Sequence, residues 1–197
     1  MRITGQNYIN FQKKLVAYCK VGQAPNSQKA SIYKLEHPLD IGYYEKCARQ
    51  DDNWTKSYYL EEIASYFELC GNSLSFYTME NEDGDTLCVS VMDEKTLNEN
   101  RLDYLETAPK LSSYNSGGRK IKYIGETMLA FLVKLSKRDK LFFDIPDVAK
   151  RDKTKDFYFK LCGFHSNEMD GAYLNSYEFD AFVAQNEEHT NSQIEIL

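Results

Sequence analysis

The sequence lacks the segments that carry a chain into or across a membrane. It has no run of about eighteen apolar residues and no signal-peptide pattern, so we expect a soluble, cytoplasmic protein without a membrane partner. Cysteine is sparse: the five residues are scattered, and no Cys-x-x-Cys pair occurs. With only three histidines, far apart in the chain, no metal site is expected, and the cysteines are predicted to be free, buried thiols.

Positive charge is scarce outside one segment. The chain has a net charge of −6, but residues 119–160 hold 12 of its 24 Lys and Arg and only 6 of its 30 Asp and Glu. This segment is either a solvated helix face with a charged loop, or an anion-binding segment in an acidic protein. The acidity of the whole chain argues against nucleic acid as a partner, because general nucleic-acid binding needs a broad basic surface.

The length and composition predict one domain with a core of its own. The 197 residues are 42% apolar, which is ordinary for a globular chain of this size. We expect a single domain over 1–197, in which 1–28 form an N-terminal extension that starts with a short helix and 187–197 form a flexible tail.

Hydrophobic periodicity and turn residues predict mixed secondary structure. The predicted strands are 29–35, 73–79, 85–92, 102–107, 141–145 and 172–174, with a hairpin turn at 80–84. The predicted helices are 40–49, 56–70, a central helix within 119–135, 155–161 and 177–185. A strand, helix, strand unit over 102–145 implies one parallel pair. The expected fold class is α+β, with a central mixed, mostly antiparallel sheet flanked by helices.

The segment 119–135 organises this prediction. Arg119, Lys120 and Lys122 precede Gly125 and an apolar run at helical spacing. The start of a helix presents unpaired backbone N–H groups and the positive end of the helix dipole, which together favour a bound anion such as phosphate. Many turns of this composition bind nothing, so the segment alone leaves both interpretations open.

Three segments, in order, resemble the GCN5-related N-acetyltransferase (GNAT) family. Residues 120–125 (KIKYIG) are similar to its cofactor loop, Gln/Arg-x-x-Gly-x-Gly/Ala, with Lys120 in the first place, Tyr123 at the first glycine and Gly125 in the last place. Residues 157–164 (FYFKLCGF) resemble the family's Phe-Tyr-x-x-x-Gly-Phe. Residues 106–109 (ETAP) match a segment of some bacterial members. The resemblance covers about residues 100–165.

This resemblance implies an acyl-CoA N-acyltransferase fold that transfers acetyl from acetyl-CoA to an amine acceptor by direct attack. The cofactor's pyrophosphate would bind the amides of residues 122–126, and its pantetheine arm would pair with strand 102–107. The implied cofactor-binding residues are Thr107, Ala108, Arg119, Lys120, Lys122, Tyr123, Ile124, Gly125 and Glu126.

The resemblance also suggests catalytic residues. Glu106 is the candidate base for the amine proton, with Asp103, on the opposite strand face, in reserve. Tyr158 is the candidate acid, because a phenol with a pKa of about 10 can protonate a departing thiolate. The alternatives are an exposed edge carboxylate for Glu106 and a core aromatic for Tyr158. In the family, the first two helices line the acceptor site, which would place Tyr58, Tyr59 and Tyr66 near the acceptor.

Three departures from the family pattern keep a second function open. Tyr123 stands where the family has its first glycine, and its side chain can fill the cofactor slot. Glu126 brings a negative charge to the phosphates, and the spacing from Tyr158 to Gly163 is one residue longer than usual. The alternative is a degenerate, non-catalytic interaction protein of the same fold. The sequence does not name the acceptor, and a homodimer is one option for the oligomeric state.

Overall fold

The computed structural model describes residues 13–35, 74–93, 99–108, 111, 121–136, 142–146, 152–167 and 171–197. In these ranges nine strands form one sheet: β1 (Lys13–Val21), β2 (Gln28–Leu35), β3 (Leu74–Asn81), β4 (Thr86–Asp93), β5 (Glu99–Thr107), β6 (Phe142–Ile145), β7 (His165–Ser166), β8 (Ala172–Asn175) and β9 (Glu195–Ile196). Their order across the sheet is β7-β8-β6-β5-β4-β3-β2-β1-β9. The helices are α1 (Ile124–Leu135), α2 (Asp152–Lys155), which continues as a π-helix over Asp156–Leu161, and α3 (Phe179–Thr190).

The centre of the sheet is the hydrophobic core. β3 and β4 are buried along almost their whole length, which fits central strands covered on both faces. α1 packs on one of these faces, where the ring of Phe131 meets that of Tyr77 edge-on at 5.4 Å between centroids. The strands predicted at 29–35, 73–79, 85–92, 102–107, 141–145 and 172–174 are all confirmed, as β2 to β6 and β8.

One pair in the sheet is parallel, as predicted from the strand, helix, strand unit. β5 pairs in parallel with β6 from Glu99 to Arg101, and every other described pair is antiparallel. From Leu102 to Thr107, β5 pairs with β4 alone in the described sheet. Among the described residues, the last six of β5 therefore have a sheet neighbour on one side only, and this end of the strand leads towards α1.

The prediction of an N-terminal helix was wrong for residues 13–21, which form β1. Ala17, Cys19 and Val21 are buried and Tyr18 between them is exposed, a period of two that belongs to a strand. Residues 13–28 are thus part of the sheet rather than an extension outside it. Residues 1–12 lie outside the described ranges.

The prediction of a flexible tail over 187–197 also differs from the structure. α3 continues to Thr190, because Asn186 and Thr190 extend its buried stripe beyond the last apolar residue. Asn191, in a left-handed conformation, ends the helix. The chain then returns to the sheet as β9, which pairs with β1 at Ala17 and Tyr18.

Several other predictions can be placed. Cys19, Cys88 and Cys162 are free and buried, as expected. The predicted helices 40–49 and 56–70, with Tyr58, Tyr59 and Tyr66, lie outside the described ranges, as do Cys47 and Cys70. None of the helices in the described ranges has the length and apolar character needed to cross a membrane.

Candidate functional site

The end of β5, the start of α1 and the π-helix meet at Gly125. A Cβ atom built on Gly125 would lie 3.3 Å from Thr107 Oγ1 and 3.5 Å from Cζ of Phe157. The first contact would be tight and the second an ordinary van der Waals contact, so the glycine allows the strand end and the helix start to approach closely. The three segments that carry the family resemblance are therefore brought together at one point of the fold.

The first turn of α1 offers three backbone donors. Tyr123 is the N-cap residue, and no side chain caps the helix. The first backbone bond of the helix runs from the N–H of Thr127 to the carbonyl of Tyr123, at 2.9 Å. In the part of the chain that is described, the N–H groups of Ile124, Gly125 and Glu126 have no acceptor. Three free amides at the positive end of a helix dipole suit an anionic ligand.

Tyr123 adopts a conformation that favours glycine. Its φ of 61° and ψ of 15° are left-handed, which costs a non-glycine residue about 1–2 kcal/mol. The Tyr123 ring stacks on that of His189 in α3, with centroids 4.8 Å apart and an interplanar angle of 19°. The backbone thus takes a conformation that glycine adopts without strain, while the side chain packs against α3.

Glu126 also turns towards α3. Its side chain is 1% exposed, and Oε1 lies 2.9 Å from His189 Nδ1. On the next residue, Thr127 Oγ1 accepts a hydrogen bond from Asn186 Nδ2 at 3.2 Å. At the start of α1, Glu126 therefore combines a free amide with a side chain that is engaged elsewhere.

Sequence reasoning missed His189 and Asn186, which lie beyond the predicted end of their helix. The spacing of Phe179, Phe182, Val183, Asn186 and Thr190 is helical, and all five are buried. This pattern was available in the sequence, but its last two members are polar and so do not register as a hydrophobic stripe.

The remaining proposed cofactor residues lie near this turn or outside the described ranges. Lys122 is exposed, and its Nζ donates to Gln23 Oε1 at 2.8 Å. Ala108 is buried, and its N–H donates to the carbonyl of Leu87 at 2.9 Å. Arg119 and Lys120 are not described.

Glu106 and Thr107 lie on opposite faces of β5. Residues that pair directly across neighbouring strands share a sheet face. Tyr77 contacts α1, and it pairs with Ser90 of β4, which in turn pairs with Leu105 of β5. Leu105 and Thr107 therefore share the α1 face, and Glu106 occupies the other face together with Tyr104. The hydroxyl of Tyr104 donates a hydrogen bond to Glu106 Oε2.

Asp103 lies at a β-bulge in β5. Leu102 and Tyr104 are opposite consecutive residues of β4, so Asp103 is the extra residue. The prediction that Asp103 lies on the strand face opposite Glu106 assumed regular alternation of side chains along β5. The bulge interrupts that alternation. Its Oδ1 lies 2.7 Å from Arg101 Nε.

The π-helix explains the unusual spacing between Tyr158 and Gly163. The N–H of Cys162 donates to the carbonyl of Phe157 at 3.0 Å, a bond that spans five residues rather than four. A π-turn accommodates one extra residue, so Tyr158 stays buried and Gly163, with φ of 71°, still follows the helix.

The Tyr158 phenol is strongly biased towards its protonated form. Burial raises its pKa, and the nearby thiols of Cys162 and Cys88 raise it further. Burial likewise raises the pKa of Cys88, whose position in β4 is opposite Thr107. Tyr158 is therefore near the end of β5 on the α1 face, as a neutral hydroxyl beside unreactive thiols.

The comparisons with known proteins concern the fold. No protein-family model matches the sequence, and no curated protein sequence is similar to it. A mutant form of the spermidine/spermine N-acetyltransferase SpeG from Vibrio cholerae superposes with a TM-score of 0.51 at 11% identity, covering 77% of this chain and 96% of that one. A GNAT-family protein from Desulfovibrio desulfuricans superposes with a TM-score of 0.50 at 15% identity, covering 75% and 99%. The chain therefore has the fold of the GCN5-related N-acetyltransferases, which confirms the resemblance at the level of the fold.

Proposed function

We propose that this protein binds acetyl-CoA and transfers its acetyl group to an amine acceptor by direct attack. The supporting observation is the junction at Gly125, where an uncapped helix start meets the end of a strand that has lost one sheet neighbour. An extended thioester arm can pair with such a strand, and the diphosphate at its far end can bind the helix amides.

The proposed diphosphate site consists of the amides of Ile124, Gly125 and Glu126. Lys122 precedes them and adds a positive charge at the surface, and Arg119 and Lys120 are proposed for the same role from the sequence alone. Thr107 and Ala108 would flank the arm where it passes from the strand to the helix. Tyr123 would contribute to this site through its left-handed backbone, which precedes the three amides, and not through its side chain.

The proposed reaction uses groups on both faces of β5. The amine attacks the thioester carbonyl carbon, and Glu106 accepts the amine proton directly or through water. The carbon–sulfur bond then breaks, releasing the thiolate of CoA. Tyr158, on the α1 face, stabilises the thiolate as a hydrogen-bond donor, and the thiolate takes up a proton from water, so that the products are an acetamide and the free thiol.

A binding measurement tests the cofactor. Acetyl-CoA at a hundredfold excess over its Kd should raise the free energy of unfolding by about 2.7 kcal/mol, which appears as a higher melting temperature. Lys122→Glu should weaken binding by placing a carboxylate at the helix start. The matched control is Lys14→Glu. Lys14 is also exposed, but it lies near the start of β1, whereas Gly22, which contacts Lys122, follows the end of that strand.

A turnover measurement tests the catalytic residues. CoA thiol release should be followed with a panel of amines that includes polyamines, the acceptor class named for the SpeG neighbour, together with aminoglycosides and lysine peptides. Glu106→Gln and Tyr158→Phe should each lower kcat, while Asp103→Asn serves as the comparison on the same strand. Unchanged rates would remove Glu106 and Tyr158 from the mechanism.

The second candidate is a non-catalytic interaction protein of the same fold. It is favoured by Tyr123, a large residue where the family has glycine. This candidate predicts no thermal shift with acetyl-CoA for the natural sequence and a new shift for Tyr123→Gly. The proposed enzyme predicts a shift for both proteins.

A further inference from the structure

Two segments of the chain, the start of α1 and the β1–β2 loop, converge on His189. Its Nδ1 lies 2.9 Å from Glu126 Oε1, and its ring stacks on Tyr123. Its backbone carbonyl accepts a hydrogen bond from the N–H of Ala24, in the β1–β2 loop, at 3.3 Å. One residue near the end of α3 therefore contacts both the start of α1 and the β1–β2 loop.

The turn before α1 is held from both sides. The N–H of Gly22 donates to the carbonyl of Lys122 at 2.8 Å, which fixes the residue before Tyr123 against the β1–β2 loop. On the other side, His189 holds the Tyr123 ring. Tyrosine rarely adopts a left-handed backbone alone, so contacts outside the turn must stabilise it.

We propose that His189 is a positioning residue for the cofactor turn, an inference that rests on the proposed function. The stacked ring keeps Tyr123 left-handed, so that the amides of the first helical turn stay aligned towards a diphosphate. The bond from Nδ1 keeps the Glu126 carboxylate in the interface with α3 and away from the phosphates. In this chain, α3 thus performs the task that a flexible glycine performs in the family's loop.

This role has a defined effect on binding. When only a fraction of the molecules has the competent turn, the apparent Kd rises by the inverse of that fraction. Without the stacked ring, Tyr123 relaxes from the left-handed region, and we expect the Kd for acetyl-CoA to rise about tenfold. The effect belongs to cofactor binding, so KM for acetyl-CoA should rise while kcat at saturation stays within about twofold.

The cleanest variant is His189→Asn. Asparagine keeps an N–H donor at about the place of Nδ1, so Glu126 retains its partner, but the ring that stacks on Tyr123 is gone. Glycine adopts positive φ without strain, so Tyr123→Gly should not need the ring. The double variant Tyr123→Gly, His189→Asn is therefore expected to recover the affinity that His189→Asn loses.

The test is acetyl-CoA titration by calorimetry with all three variants and with His165→Asn as control. His165 also pairs with a carboxylate, Glu178, but on β7 at the opposite edge of the sheet. We expect a Kd near that of the natural sequence for the control, a tenfold rise for His189→Asn alone, and no further rise when His189→Asn is added to Tyr123→Gly.

Two results would overturn the inference. One is an unchanged Kd in His189→Asn. The other is an equal loss in His189→Asn and the double variant, which would mean that His189 acts only through general stability, as a parallel fall in melting temperature would also indicate. If the natural sequence itself does not bind acetyl-CoA, the proposed function fails first and removes the inference with it.

Discussion

Two histidine–carboxylate pairs in this protein have the same separation and different surroundings. His189 Nδ1 and Glu126 Oε1 are 2.9 Å apart, as are His165 Nε2 and Glu178 Oε1. The Glu126 side chain is 1% exposed, whereas that of Glu178 is 26% exposed. The distance alone therefore does not indicate what each pair contributes.

The two pairs differ in what each carboxyl group can bind when its histidine is removed. Glu178 is near water and also accepts hydrogen bonds from the backbone N–H and Nδ2 of Asn175, at 3.0 and 2.8 Å. Glu126 has no such reserve, since its Oε2 is buried without a partner within the described ranges. A buried group that loses its only hydrogen bond bears the full desolvation cost, while an exposed one regains water. The buried pair is therefore the structural anchor, and the exposed pair contributes little.

The largest expected effect separates the two histidines. His189→Ala should lower the free energy of unfolding by about 2–4 kcal/mol, because it leaves the Glu126 carboxyl buried and unpaired. His165→Ala should cost less than about 1 kcal/mol, as is usual for exposed pairs. Urea unfolding of both variants measures the difference. Equal losses would mean that burial of Glu126 does not matter.

An intermediate effect concerns the carboxylate itself. Glu126→Leu removes the buried group and its unpaired oxygen, and it leaves His189 partly exposed to water. Because His189 can then hydrogen-bond to water, no buried group is left without a partner, and we expect a change within about 1 kcal/mol. A loss as large as that of His189→Ala, in the same urea experiment, would indicate that the pair stabilises the fold by itself.

The smallest expected effect is the pH dependence of the exposed pair. Burial raises the pKa of Glu178, but hydrogen bonds from His165 and Asn175 outweigh it and hold the pKa below its ordinary value of 4.5. A carboxyl group with a lowered pKa stabilises the fold above its unfolded pKa, and this contribution disappears as the pH falls through the folded value. Between pH 5 and pH 3, as an approximate window, Glu178→Gln should therefore lose less stability than the natural sequence. Thermal unfolding at each pH measures this. An equal fall in melting temperature for Glu178→Gln and the natural sequence over this window would contradict the prediction.

The sequence was sufficient for the centre of the fold. β3, β4 and α1 are long and strongly patterned, so their periodicity alone identified them. The parallel pairing of β5 and β6 followed from the helix between them. The approach of Thr107 to Gly125 was also within reach, because the resemblance implied a strand end beside a helix start.

The sequence was insufficient where tertiary contacts decide. Tyr8, Phe11, Leu15 and Tyr18 are near helical spacing, but pairing with β2 and β9 makes residues 13–21 a strand. The last two turns of α3 make polar contacts with α1, Asn186 with Thr127 and His189 with Glu126, and polar pairs leave no hydrophobic signal in the sequence. The left-handed Tyr123 could not be predicted without the ring of His189 that stabilises it.

The π-helix also bears on how this chain tolerates changes in length. In an α-helix, each residue turns the chain by about 100°, so a single deletion rotates every later side chain away from its neighbours. A π-turn already contains one residue more than an α-helical turn needs, so a deletion at Lys160, which is exposed, should tighten the turn and leave both flanks in register. Homologous chains one residue shorter at this point would then carry the same aromatic pair in the same place.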